Sequence, residues 1–107
     1  MKSTPLEKDI EKAVCAYAKS KGCYVRKFTS PANRSVPDRI IVAPGGAVGF
    51  LELKRHGQKP TKAQAAEIAA LQMMEAIAGW CDNVEGGKVF VDDLLLLGKV
   101  KQRECRG

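Results

Sequence analysis

The stretch from Val36 to Lys54, VPDRIIVAPGGAVGFLELK, decides how this chain folds. Asp38 to Ala43 (DRIIVA) and Ala47 to Lys54 (AVGFLELK) read as two strands, and Pro44-Gly45-Gly46 between them reads as a turn. Three-residue hairpin loops with Gly in the left-handed position are common. Such a loop sets Ala43 opposite Ala47, Val42 opposite Val48, Ile40 opposite Phe50 and, one step further, Asp38 opposite Glu52. Side chains alternate along a strand, so Asp38, Ile40, Val42, Val48, Phe50, Glu52 and Lys54 share one face. The apolar members are expected to form a core wall, with the two acids and the lysine at its open end. A two-residue turn would set Asp38 against Leu53 and scatter the group, because a one-residue slip flips every side chain. Ile41, Leu51 and Leu53 fall on the second face, where a helix or a second subunit is expected to cover them.

Two carboxylates on adjacent strands can share one hard divalent cation through oxygen, with backbone carbonyls and waters completing its shell. Lys54 lies two residues beyond Glu52, on the same face. There it can orient an attacking water and place positive charge beside a phosphoryl group in its transition state. The competing readings are structural. Asp38 can begin a strand or cap a turn after Pro37. Glu52, costly inside an apolar strand, can be balanced by Lys54 or Lys27 alone.

Working outward, the first helix is expected from about Pro5 to Lys21. Thr4 would be its cap, Thr4-x-x-Glu7 its capping box and Gly22 its C-terminal stop. Leu6, Ile10, Ala13, Val14, Tyr17 and Ala18 recur at helical spacing. Glu7 and Glu11 border that stripe, an odd position for two like charges unless something positive faces them. Cys23 to Phe28 (CYVRKF) reads as a strand and Thr29 to Pro37 as a turn-rich loop. Thr61-x-x-Gln64 is a second capping box, opening a helix expected over Thr61 to Ala78 and ended by Gly79. Met73, Met74 and Trp80, at the end of that helix, are expected in the core or a dimer surface. Lys88 to Val91 is expected to be a fourth strand, Asp92 to Leu97 a short helix, and Lys99 to Gly107 a frayed basic tail.

At 107 residues the chain is expected to be one domain, with its core over about 5–97 and the basic tail at 98–107. Its longest wholly aliphatic run, Leu94 to Leu97, is four residues, far short of a membrane span. The charged N-terminus carries no apolar export signal, so a cytoplasmic location is expected. Cys15, Cys23, Cys81 and Cys105 form no CxxC pair and there is one His, which argues against structural zinc and for reduced thiols. Lys and Arg total 18 against 12 Asp and Glu. From Lys19 to Lys62 the imbalance sharpens to ten bases and two acids, Asp38 and Glu52. A polyanion is the natural partner of that segment. A surface built only to hold phosphate would exclude both acids, whereas one that sets a cation beside phosphate needs them.

The ordered set LEKDIEKAV, RKFTSPANRSVPDRIIVAPGG and VGFLELKRHGQKPTKAQ, roughly residues 6 to 64, resembles the PD-(D/E)xK nuclease superfamily. More narrowly it resembles the virus-type replication–repair nuclease (VRR-NUC) domain. The resemblance implies a restriction-endonuclease-like α/β core of αβββαβ order, a small mixed sheet flanked by helices. It also implies a Mg²⁺- or Mn²⁺-dependent DNA endonuclease, often a homodimer, acting on branched DNA such as four-way (Holliday) junctions. A phage-encoded protein in a bacterial host fits the same likeness. By this resemblance Asp38 and Glu52 match the metal-binding acids, Lys54 the catalytic lysine, and Leu53 would lend its backbone carbonyl to the metal. Glu7 matches the first-helix acid at the metal, with Glu11 one turn on, and Gln64 the glutamine opening the second helix. Lys27, Arg34, Arg39, Arg55, Lys59 and Lys62 are the expected nucleic-acid contacts. His56, in a basic loop, is expected to touch phosphate or solvent rather than act as a base. Ser35 stands where the family usually has Gly. A less selective DNA nuclease, or a basic nucleic-acid-binding module without cleavage, are the competing functions.

Overall fold

The computed structural model describes residues 6–106, in the order α1 (Glu7–Ser20), β1 (Tyr24–Lys27), β2 (Arg39–Ala43), β3 (Ala47–Leu53), α2 (Lys62–Met73), β4 (Ile77–Cys81) and α3 (Val84–Arg106). The four strands form one mixed sheet in sequence order. β1–β2 and β2–β3 are antiparallel, and β3–β4 is parallel. The αβββαβ core with a mixed sheet between helices is therefore present, and α3 is added to it.

The hairpin has the three-residue register. Ala43 pairs with Ala47, Val42 with Val48 and Ile40 with Phe50. Gly45 and Gly46 take φ of 96° and 90°, the left-handed geometry that favours glycine, and the Gly46 N–H closes the turn on Ala43 O at 3.0 Å. The core, however, lies on the other face of this hairpin. Ile41, Ala43, Ala47, Leu51 and Leu53 are buried with Ile10, Val14 and Ala18 of α1 and Val91 and Leu94 of α3. That face is filled by the protein's own helices, so it offers no room for a second subunit. The face carrying Ile40, Val42 and Phe50 is only half-buried, and Val48 is exposed. This corrects the expected core wall: α1 and α3 both pack on one side of the sheet, while α2 packs along edge strand β4.

α1 ends at Gly22 as expected, with φ 87° and the Cys23 N–H donating to Ala18 O at 3.0 Å. Leu6 holds the N-cap position and makes no side-chain cap bond. Thr4 and Pro5, the expected cap and first helical residue, lie outside the described residues. The Thr61–Gln64 capping box is complete.

The C-terminal third departs from the sequence reading. α2 stops at Met73, not Ala78, because Glu75 turns left-handed with φ 63°. The Ala76 N–H then donates to Leu71 O at 3.0 Å and the Glu75 N–H to Gln72 O at 2.9 Å, a Schellman-type stop made without glycine. Gly79, expected to end the helix, is instead in β4, which is the fourth strand in place of Lys88 to Val91. A β-carbon in the left-handed region is strained. Glu75→Gly is accordingly expected to stabilise the protein by about 0.5–1 kcal/mol, read as a rise in the urea midpoint at constant slope.

Gly107 is outside the described residues; as far as Arg106, the residues expected as strand, short helix and frayed tail lie in one helix, α3. Asn83 caps it, accepting from the Gly86 N–H at 2.6 Å. Gly87, Val91, Leu94 and Gly98 form its buried stripe at helical spacing. Met73 and Met74 are about four-fifths exposed, so they are not core. Cys15, Cys23 and Cys81 are buried free thiols.

Candidate active site

The site forms where β2 begins and β3 ends. Pro37 is fully buried, and Asp38 follows it immediately before β2. The Asp38 carbonyl accepts from the Phe28 N–H at 2.8 Å, and its carboxylate Oδ2 accepts from the Leu53 N–H at 2.9 Å. Asp38 thus ties the end of β1 to the end of β3, and its carboxylate is held rather than free to swing. Glu52, the penultimate residue of β3, is 2% exposed, the one buried charged side chain among the described residues. Its carboxyl lies within hydrogen-bonding reach of Asp38, and its Oε2 is 3.5 Å from Lys54 Nζ. Lys54 is positioned in turn by its backbone N–H, which donates to Cys81 O on β4 at 2.8 Å.

Glu52 Oε1 is buried with no hydrogen-bond donor. Asp38 cannot supply one while both groups are ionised, since a carboxylate only accepts. Burial, then the Asp38 carboxyl beside it, pushes Glu52 up to about 7, against which Lys54 pulls down. Without another cation the pair is satisfied by a proton. The same position, a buried carboxylate beside a second one, suits a hard divalent ion. Asp38 also lines a cleft of about 220 Å³ together with Phe28, Thr29, Ser30, Arg34 and Val36; Glu52 does not reach it.

Glu7 stands in the first turn of α1. Partial burial raises its carboxyl, and the fields of Asp38, Lys54 and Glu11 reach it. It borders the pair without joining it: among the described residues no group of three or more His, Cys, Asp and Glu side chains is arranged to hold a metal. Glu11 is taken up by Arg39, with Nε to Oε2 at 2.9 Å, the positive partner its position called for. Arg39 and Lys27 pair across β1 and β2 on the α1 side of the sheet, turned away from the carboxylate pair. Gln64 spends its side-chain carbonyl on the Thr61 N–H at 2.9 Å, leaving its amide N–H groups for other partners. Arg34 reaches the cleft beside Asp38. Arg55, Lys59 and Lys62 are exposed on the loop after Lys54 and at the start of α2. The exposed His56 sits 3.9 Å from Asp82, whose Oδ2 also accepts from the Gly57 N–H and holds that loop down.

Residue 35 needs no glycine. The Ser35 N–H donates to Asn33 Oδ1 at 2.9 Å, and among the described residues Glu75 is the only non-glycine with positive φ. Asn33 also hydrogen-bonds Glu67 of α2, linking this loop to the second helix. The sequence reading missed Trp80. Glu52 pairs with Trp80 across β3 and β4, so the indole stands on the carboxylate face.

No family model matches the chain. A solved structure described as a VRR_NUC domain superposes with a TM-score of 0.76 at 21% identity, covering 80% of this chain and 94% of its own. A second, described as a VRR_NUC domain protein, gives 0.64 at 18% identity over 78% and 82%. "Putative nuclease p44" of Acyrthosiphon pisum secondary endosymbiont phage 1 is 42% identical over 65 residues, 61% of this chain and 70% of that protein. The chain has the VRR-NUC fold and belongs to one family with that phage putative nuclease. The paired carboxylates and Lys54 occupy the end of the sheet where β2 begins and β3 ends. No helix among the described residues is long and apolar enough to cross a membrane.

Proposed function

We propose that this chain is a divalent-metal-dependent endonuclease that hydrolyses DNA phosphodiesters. The observation that carries the reading is the buried Glu52 Oε1, which lacks a donor and lies beside a second carboxylate. Leaving a carboxylate oxygen in that state costs several kcal/mol or forces protonation, and a cation removes the need for either. Two carboxylates are enough protein for Mg²⁺, which keeps waters and substrate oxygens in its remaining positions. Asp38 and Glu52 would hold Mg²⁺ or Mn²⁺, with the Leu53 carbonyl and Glu7 at the edge of the shell. When bound, the ion supplies Lewis-acid polarisation of a phosphoryl oxygen and offsets charge developing in the displacement.

The protein's own residues do the rest. Lys54, held by Glu52, points an N–H at the attacking water and places its ammonium against the charge that grows on phosphorus-bound oxygen. Glu7 keeps the carboxylate end of the sheet electronegative, which favours cation over proton. The free amide of Gln64 can donate to a phosphate oxygen. Arg34, Arg55, Lys59 and Lys62 hold the backbone on both sides of the cleft. Lys27 and Arg39 would meet DNA only where it wraps toward α1.

Family membership extends the proposal to branched DNA, four-way junctions included, cut by a homodimer, and the phage relative supports a phage-encoded role. Labelled four-way junction, flap and linear duplex, incubated side by side with Mg²⁺, Mn²⁺ or EDTA, test it. The expected result is cleavage with either metal, none in EDTA, and the junction cut fastest. Equal rates on all three would remove the branched-DNA part, and no cleavage with either metal would remove the enzyme reading. Solution mass decides the dimer.

A further inference from the structure

We propose that the pocket between the start of α2 and β4 binds a nucleobase of the DNA lying across the cleavage site, stacked on Trp80. The inference rests on the nuclease reading for its ligand, but its test does not depend on cleavage.

Trp80 is the one tryptophan in the chain, and it is 42% exposed on an edge strand. A residue that large is normally buried for its hydrophobic area, so exposure on a functional face is informative. Its backbone pairs with Glu52, which places the two α-carbons about 5 Å apart, as for any neighbouring strands, with both side chains on one face. The pocket it helps to line has a volume of about 390 Å³, within the range of small-ligand sites. Lys59, Pro60, Ala65, Ile68, Gln72 and Gly79 form the rest of its wall. No acid lines it. The floor is aromatic and aliphatic, and Lys59 contributes an ammonium at the rim, with Lys62 nearby in the first turn of α2. Gln72 is fixed by its Nε2 donating to Ala78 O at 2.8 Å, so it brings an ordered polar edge rather than a loose one.

A half-exposed indole, a lysine beside it and no carboxylate match a nucleotide: a π-face to stack and a phosphate to pair. They do not match a protein strand, which would use the backbone of edge strand β4 and not its face. The position beside Glu52 means a base held here anchors the nucleotide next to the scissile phosphate. Trp80 would then fix the register of the strand in the site, a positioning role.

Trp80 is its own reporter, since it supplies all the indole fluorescence. The experiment titrates the wild-type protein with a flapped DNA duplex in EDTA, where nothing is cut. A set of the same duplexes carries one abasic site walked through the sequence. The expected result is strong quenching that disappears when one particular nucleotide is abasic. Trp80→Ala should weaken binding, and raise KM in Mg²⁺, by about 10-fold while kcat changes by less than about 3-fold. Trp80→Phe should restore most of the affinity. Binding without quenching, or quenching indifferent to every abasic position, overturns the proposal, and neither result needs a variant that folds. If the wild type binds and quenches as expected but never cuts with Mg²⁺ or Mn²⁺, the nuclease reading fails and the base pocket stands. If it cuts but shows no quenching, the reverse holds.

Discussion

Glu52→Gln should abolish metal-dependent cleavage and at the same time make the metal-free protein more stable. The two effects have one cause. In the folded chain, burial and the neighbouring Asp38 carboxyl raise Glu52 from 4.5 to about 7. A raised carboxyl favours the folded state only while it is protonated. The stability it contributes is full below about pH 4.5, falls as pH rises from there through about 7, and is gone at pH 8. At pH 8 in EDTA the protein therefore holds a buried charge it would rather neutralise. Gln keeps the shape, carries no charge and can donate to Asp38. The expected gain is about 1–2 kcal/mol, or roughly 5–10 °C in Tm for a chain of this size. At pH 5 the gain should nearly vanish. Cleavage with Mg²⁺ should fall by about 10³-fold or more, as for loss of a central electrostatic group. A variant that loses both activity and stability at pH 8 would mean Glu52 is a structural ion-pair residue.

Gly87→Ala and Gly98→Ala should each destabilise the protein by about 2–3 kcal/mol, although both replace glycine in a helix. Helix propensity alone expects a gain of about 1 kcal/mol at each. The sign reverses because α3 packs backbone-close. A β-carbon on Gly87 would stand 2.3 Å from Val14 Cγ2 on α1, and one on Gly98 would stand 2.0 Å from the carbonyl oxygen of Pro44 in the hairpin turn. A side chain can give way and a backbone cannot. Val14→Ala should therefore recover part of the Gly87→Ala loss and none of the Gly98→Ala loss. Urea unfolding of the three single variants and the two doubles with Val14→Ala reads this as a coupling for the first pair and simple additivity for the second. Stabilisation by either glycine replacement would mean α3 does not pack as described.

That same packing explains what the sequence hid. The hairpin was legible because its register rests on local facts: a Pro-Gly-Gly turn and alternation on either side. From it the meeting of Asp38 with Glu52 and Lys54 could be worked out in advance. The Thr61 cap and the Gly22 stop were legible for the same reason. α2 was read too long because its stop uses Glu75 in a conformation that a glycine usually marks. That error moved β4 and, with it, Trp80 away from the site. α3 looked like a strand because Val89 and Val91 alternate with Phe90 and two glycines precede them, features that weigh against a helix. Gly87 and Gly98 are small for the sake of contacts with α1 and the turn, which no local pattern announces. The core face was misassigned because the hairpin is apolar on both sides. Which side the helices cover depends on Gly87 and Gly98 letting α3 approach.

The most direct test of a shared cation site is Asp38→Asn, assayed for Mg²⁺-dependent cleavage of a flapped duplex alongside the binding of the same DNA in EDTA. Asn retains the acceptor for the Leu53 N–H and removes the charge. The expected result is cleavage lowered about 10³-fold or more with DNA affinity within a few-fold of wild type. Cleavage at the wild-type rate would contradict a cation held between Asp38 and Glu52.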